Sequence, residues 1–578
     1  MNKSRRDFLK KLPLAMSIPF TIEGITMRVM GQDNTLTKLA AAAGATDRVL
    51  IILQMHGGND GLNCCIPVAA YADYYNKRPN IAIPAANSLR KYVPLDSTLD
   101  ENAQIGLHPD MIAMKTLYDQ GRMTIVQGVS YKNNNGSHFR GRDIQFMGGS
   151  YSDYFQSGWL GRYLQGEYAP DRYPEDFPTA DMKDPLAIEI GNDESLIFHQ
   201  QGNIPTSFTL SEDGLDDLTD LEGFFENQTT DPRGIPPEYL KDSYYYKELK
   251  WILDLEDKTQ TYTERLIALL KTSQPTTVTY PESYPFNAPS GSLRNPLQKQ
   301  LQLVARLLST ECKTRVFLVK IGGFDTHADQ VEKYDPTMGS HAALMYHVAT
   351  SMRAFQEDLR ARGIEDRALT ITTSEFSRRV VSNASYGTDH GTAGPMFIFG
   401  KGAKPGVVGN AFETNENGSN LAMQYDYRNV YANIMRDWMG VNDTQLDKIF
   451  PFSDDDPTKG GLMTTSTSDG TRFEQLPVAQ QTITGNEGFI GDRFSLEDCY
   501  PNPAKDKTTV HFRVNSAYHV TVNLYNNEGK KMKPLVDGVY NPGEHKVDVD
   551  LTGLPVGTYI YELKTGFYKE AKKLIITK

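Results

Sequence analysis

The chain has 578 residues, more than one compact core usually takes, so two or three domains are expected. Hydrophobic content of 39% and charged content of 23% are ordinary for a soluble globular protein. The net charge of -12 gives nucleic-acid binding no electrostatic support, and four cysteines without a CxxC pair argue against a disulfide scaffold or a zinc ribbon.

The N-terminus is basic and then briefly apolar. Ser4-Arg5-Arg6-Asp7-Phe8-Leu9-Lys10 resembles the twin-arginine export signal, S-R-R-x-F-L-K, at every fixed position. Pro13, Pro19 and Glu23 interrupt the apolar stretch. Neither it nor any later run reaches the roughly 18 apolar residues of a membrane helix, so no transmembrane anchor is expected. Residues 1–45 are assigned as export signal and leader. This route carries folded proteins, often with a metal already installed.

Residues 46–452 read as the main domain. Apolar runs in RVLIILQMHGGNDG, MTIVQGVSY, TRVFLVKIGGFD, ALTITTSEFSRR and GPMFIFG end in glycine or polar residues and predict strands. Helical patterns lie between them in HPDMIAMKTLYDQG, LRNPLQKQLQLVARLLSTE and SHAALMYHVATSMRAFQEDLRARG. Strand alternating with helix predicts an α/β fold with a doubly wound, mostly parallel sheet, whose ligands bind at the C-terminal strand ends. The segment from about 166 to 288 breaks the rhythm and is expected to be a cap or insertion over the site.

The candidate residues sit just after strands. Asp60, in HGGNDGLN, is either a cation ligand or an Asx-turn cap before Gly61; His56 is the weaker ligand candidate. Ser137 and His138, in NNNGSHFRGRD, offer a nucleophile beside an imidazole, and Arg140 can clamp an anionic ester; a helix cap is the other reading of Ser137. Asp325 and His327 follow the strand ending in IGGFDTHADQ, with Asp329 two positions on. Glu375 follows the next strand, and Asp389 and His390 occupy the glycine-flanked turn GTDHGTAG. Asp60, Asp325, His327, Glu375, Asp389 and His390 together form a candidate ligand set for a divalent metal. Zinc suits it first, with calcium, magnesium or manganese as alternatives. No G-x-S-x-G elbow, Walker A loop or dinucleotide fingerprint is present.

Residues 453–494 are polar and read as a linker that packs partly on the body. From Cys499, period-two runs separated by Asn-Asn-Glu-Gly, Asn-Pro-Gly and Pro-Val-Gly turns predict a small all-β sandwich over 495–578. YPNPAKDKTTV, LYNNEGK, LPVGTYIYEL and KKLIITK resemble the type A sorting domain of the Bacteroidetes type IX secretion system. That resemblance implies export and type IX machinery as partners, passage through the periplasm, and a secreted or cell-surface location.

In the body, GGNDGLN, RPNIAIP, GLHPDM, SHFRGRDIQ, GWLGRYL, GGFDTHADQ, SEFSRRV, GTDHGTAGPMF and YDYRNVYANIMRDWMG stand in the order found in the bacterial family called domain of unknown function 1501. The resemblance runs from Arg48 to about Gly440. It implies an alkaline phosphatase-like fold, as in the sulfatases, with one or two metals at the C-terminal sheet edge. By position it implies metal ligation by Asp60, Asp325, His327 and His390, and a nucleophile at Ser137. An Asp-His pair would fall at Glu375-Phe376, so Phe376 departs from the pattern and leaves Asp389 as a replacement ligand or a single-metal centre. Cys65-Ile66-Pro67-Val68-Ala69 lacks the arginine of a formylglycine motif. The expected function is a secreted, metal-dependent hydrolase of phosphate or sulfate esters, with an anionic small-molecule or glycan ester as substrate and His390 or His138 protonating the leaving group. The alternative is a non-catalytic cell-surface binding or assembly protein.

Overall fold

The computed structural model describes residues 47–453 and 459–480, except 87–88, 192–193, 212–240 and 242. It also describes 494–577, except 498, 515–517, 527–529, 541–542 and 565–568, and the backbone of 18–22 and 25–29. The twin-arginine-like residues Ser4 to Lys10 lie outside the described residues. The chain forms two compact units, one of which is Asp47–Gln480.

That unit is built on a nine-stranded sheet. Its strands are β1 (Val49–Met55), β2 (Met123–Ser130), β3 (Ala187–Ile190), β4 (Ser207–Leu210), β5 (Val316–Ile321), β6 (Ala368–Thr373), β7 (Gly394–Phe399), β8 (Gly406–Val408) and β9 (Tyr425–Asp426). The order is β4-β3-β5-β1-β6-β7-β2-β8, with β9 also pairing β2. Only β7 runs antiparallel to its neighbours β6 and β2; the remaining pairs are parallel. The predicted strands and helices all form, and the antiparallel β7 is the departure from their expected direction.

Because side chains alternate across a strand, β1 feeds two cores. Val49, Ile51, Leu53 and Met55 join one core with helices α1 (Ile112–Asp119), α3 (Leu297–Leu308) and α4 (Ser340–Ala361). Leu50 and Ile52 join the other, with α2 (His138–Met147) and α5 (Tyr427–Asp437). A strand buried on both faces reads as a continuous apolar run, which is why VLIILQM carries no alternation. Within the segment 166–288, expected as a cap or insertion, β3 and β4 extend the sheet beyond β5.

Residues 459–480 bond into the body. Fully buried Arg428 holds Asp426 at 2.7 Å and Asp469 at 2.8 Å. Burial alone would raise the Asp469 carboxyl, but Arg428 outweighs it and draws it down to about 2. A depressed carboxylate stabilises the fold above its unfolded value near 4 and loses that contribution as pH falls through its folded value. Asp469→Asn is therefore expected to cost about 1.5–3 kcal/mol at neutral pH. In urea titrations of the body the difference should vanish as pH falls from about 4 towards 2.

In the other unit, the described C-terminal strands form two antiparallel sheets. One holds Phe494–Leu496, Lys507–Val514 and Gly543–Asp550; the other holds Lys531–Tyr540, Tyr518–Asn526, Gly557–Lys564 and Lys569–Ile576. Val510, Phe512, Val522, Leu524, Tyr561 and Leu574 form part of their common core. All four cysteines are buried and free. Among the described residues no helix is long and apolar enough to cross a membrane.

Candidate metal centre

Three loops at the C-terminal edge of the sheet supply the site. After β1, Gly57 and Gly58 have φ of +121° and +83°. A Cβ on Gly57 would collide with the Phe324–Asp325 backbone, and one on Gly58 with the Phe376 ring. Glycine is thus needed where this loop crosses the one after β5. The β5 loop stays in step with β1 through His56 N–H to Ile321 O (2.9 Å) and Phe324 N–H to His56 O (3.1 Å). The third loop is a hairpin of Arg378–Ser382 and Thr388–His390, whose register places Arg378 opposite His390. It holds the β5 loop by Thr388 N–H to Thr326 O and by Asp329 and Gln330 N–H to Ser385 and Tyr386 O.

These loops and the start of α2 bring three imidazoles round one carboxylate. His390 Nε2 lies 3.0 Å from His138 Nε2 and 2.8 Å from His327 Nε2. Asp325 Oδ1 lies 3.4 Å from Nε2 of His138, 3.3 Å from that of His327 and 3.4 Å from that of His390. His138, Asp325 and His390 close as one donor set within 4.8 Å; His327, 47% exposed, lies outside that set and meets it from the solvent side through His390 and Asp325. Donors held about 2.0–2.2 Å from a tetrahedral zinc ion stand roughly 3.3–3.6 Å apart; the three separations from Asp325 Oδ1 match that spacing, and the imidazole pairs, at 3.0 and 2.8 Å, stand closer than it.

The far side of each ring supports that fit. His390 Nδ1 is 2.7 Å from the Gly136 carbonyl, which only accepts, so Nδ1 carries the proton and Nε2 offers a lone pair. His138 Nδ1 faces Glu375 Oε1 at 3.5 Å, and His327 Nδ1 faces Asp389 Oδ1 at 3.6 Å. Metal-ligating histidines characteristically turn the second nitrogen to a carboxylate or carbonyl in this way. Burial holds the His390 imidazole below its ordinary value, towards the neutral form a ligand must have. The Glu375 carboxylate facing Nδ1 raises that of His138. Burial would raise the Asp325 carboxyl, but Arg378, with the neighbouring histidines, outweighs it and lowers it.

Not every expected ligand enters the set. Asp60 is fully buried and spent on Arg78, whose Nη1 lies 2.8 and 2.6 Å from its two oxygens; Gln330 Nε2 also donates to Oδ2 at 2.6 Å. The Asx-cap reading fails as well, since Asp60 precedes the short helix Gly61–Cys64 without a side-chain cap bond. Glu375 lies behind His138. Its oxygens accept from Gly57 N at 3.0 Å each and from Gly58 N at 3.3 Å, and Oε1 faces His56 at 3.3 Å. Burial would raise this carboxyl, but His138, His56 and the Gly57 amide hold it low. Asp389 backs His327 and accepts from Asn383.

Ser137 is the helix cap of the alternative reading, its Oγ accepting from Arg140 N at 3.4 Å. The Arg140 guanidinium stacks on Tyr154 at 4.0 Å and donates to the carbonyls of Tyr151 and Asp153. His138, expected to act in catalysis, stands among the convergent donors. The sequence reading assigned no role to Arg378, which bonds Asp325 Oδ1 at 2.7 Å, or to the Gly136 carbonyl. Both lie inside quoted motifs, but a buried arginine and a carbonyl acceptor leave no local pattern.

The family model described as Protein of unknown function (DUF1501) matches residues 247–450, a shorter span than the motif resemblance. The model described as Secretion system C-terminal sorting domain matches residues 498–577, which indicates export and a secreted or cell-surface location. No curated protein matches the chain. Among solved structures, dimeric latent PorU from Porphyromonas gingivalis matches at 20% identity and a TM-score of 0.13; the match covers 14% of this chain and only 9% of PorU. A Vibrio parahaemolyticus protein in the alkaline phosphatase superfamily matches at 10% identity over 87% of this chain and 79% of its own, with a TM-score of 0.31. A protein from the Bacteroides thetaiotaomicron glycosaminoglycan-metabolism locus matches at 9% identity over 86% and 90%, with a TM-score of 0.32.

Proposed function

We propose that this chain, a DUF1501-type body ahead of a type IX sorting domain, is a secreted hydrolase of phosphate or sulfate esters that works with one divalent ion. The convergence of His138, His327 and His390 Nε2 on Asp325 Oδ1 carries the reading. His138, Asp325 and His390 would hold the ion, with His327 the nearest further donor, and zinc is the best match to an imidazole-rich set. When bound, such an ion supplies Lewis-acid polarisation of an ester oxygen. Asp325 is half exposed, which leaves the centre open to an anionic ester on one side. Passage through the periplasm by a twin-arginine route belongs to the same proposal.

The chain's own residues do the rest. Glu375, held by two backbone amides, faces His138 Nδ1 on one side and His56 on the other. His138 and His390 turn Nε2 inward, so neither is placed to protonate a leaving group. His56, half exposed and backed by Glu375, is the imidazole left to exchange a proton with substrate. The full chain, purified without chelator, should hold about one ion per molecule and hydrolyse a generic aryl phosphate or aryl sulfate. Chelation should abolish turnover, and zinc should restore it. A folded, metal-free protein that takes up no added ion would sink the proposal. An ion retained without hydrolysis of either ester class would favour a binding or assembly role, for which the capping position of Ser137 Oγ is the supporting observation.

A further inference from the structure

We infer that Arg378 is a positioning residue that gathers the ligand loops and acts as a built-in cation, limiting the centre to a single metal ion. This rests on the metal reading above. Arg378 is 1% exposed, and its guanidinium reaches all three loops of the site. Nε donates to Gly58 O at 2.8 Å and Nη1 to Thr388 O at 3.0 Å. Nη2 donates to Gly57 O, to Phe324 O at 3.0 Å and to Asp325 Oδ1 at 2.7 Å.

The carbonyls come from the turn after β1, from the residue before Asp325, and from two positions before His390. The one side-chain acceptor is the carboxylate oxygen that faces all three imidazoles. A carboxylate oxygen has two lone-pair directions. One taken by Arg378 leaves the other for an ion, and the donated bond fixes the carboxylate's rotation. Outer partners of this kind typically set metal affinity by 10–100-fold.

The same contact decides the ion count. In two-metal centres the ions stand about 3.5–4 Å apart and share ligands. A second ion sharing Asp325 Oδ1 would have to displace a guanidinium nitrogen already 2.7 Å from that oxygen. Among the described residues, the buried carboxylates Asp60 and Glu375 do not offer it an alternative. Asp60 is paired with Arg78, and Glu375 is bonded to the Gly57 and Gly58 amides. Lysine cannot reproduce the planar fork that meets four carbonyls and a carboxylate.

The test compares the full wild-type chain with Arg378→Lys and with Arg378→Gln, a neutral variant that avoids burying an unpaired charge should the lysine fail to fold. Cobalt(II) and zinc are titrated against a competing chromophoric chelator, and the visible spectrum of the cobalt form reports coordination. The wild type should bind one ion with intense tetrahedral-type bands. The variants, folded by circular dichroism, should bind about 10–100-fold more weakly, with weaker and shifted bands as Asp325 loses its orientation. Wild-type affinity and spectrum in a folded variant would overturn the inference and leave the metal reading standing. Two ions in the wild type would overturn the single-ion limit. A folded wild type that binds neither metal would instead remove the reading on which the inference rests.

Discussion

His390→Gln is expected to empty the centre while leaving the fold in place. His390 Nε2 is the nitrogen that meets both other imidazoles, at 3.0 and 2.8 Å. Its Nδ1 proton is fixed on the Gly136 carbonyl, which ties the hairpin to the segment before α2. Glutamine offers neither the aromatic lone pair nor the second bond at that geometry. Loss of an outer partner alone typically costs 10–100-fold in metal affinity, so loss of this donor should cost at least about a hundredfold. Ester hydrolysis should fall in parallel. The side chain is 28% exposed and sits at a hairpin end, so the metal-free variant should lie within about 1 kcal/mol of the metal-free wild type in urea unfolding. Metal content and affinity check the result. Wild-type ion retention by the variant would remove His390 from the set, and with it the argument from tautomers.

What could be read in advance divides along a physical line. Strands β1 and β5 are buried on both faces, so their apolar runs are nearly continuous, and β6 is buried throughout although threonines interrupt its apolar residues; the polar or glycine residues that end all three mark the sheet edge. That sufficed to place Asp325, His327 and His390 at one edge. The antiparallel direction of β7 was not legible, because periodicity carries no sign. The place of His138 among the convergent imidazoles was hidden by distance: it meets His390 across 252 positions, and its capped helix looked like a nucleophile's setting. Asp60 shows the converse. Its strand-end loop and glycine neighbours looked like a ligand site, yet Arg78, only 18 positions on in RPNIAIP, neutralises it. A motif gives residue types and order; it does not say which carboxylate has already found a cation. Asp329 has a φ of +49°, and its backbone N–H bonds Ser385 O, so it shapes the loop that carries His327.

The Asp60 pairing makes the second large prediction, and it separates a structural carboxylate from a metal ligand. Arg78 and Asp60 are both fully buried, with Nη1 2.6 Å from Oδ2. Arg78 also donates to Asn63 Oδ1 at 3.0 Å, Val380 O at 2.8 Å and Arg379 O at 2.5 Å, so it braces the loop after β1 against the hairpin. Removing one partner of a buried pair strands the other charge, and Arg78→Met should cost about 3–5 kcal/mol. Burial would raise the Asp60 carboxyl, but Arg78, with Gln330, outweighs it and holds it below the ordinary range. The sign follows: the pair stabilises the fold fully above the unfolded value near 4, and loses that contribution as pH falls through the lower folded value. In Arg78→Met the stranded carboxylate should instead take up a proton readily, so the variant's deficit should be largest at neutral pH and shrink on acidification. Urea unfolding at several pH values, followed by a signal from the body, measures it. Arg78→Met with Asp60→Asn should recover part of the loss, because the buried charge is gone. A deficit independent of pH and unrelieved by Asp60→Asn would mean that the braced backbone carbonyls, rather than the ion pair, carry Arg78's contribution.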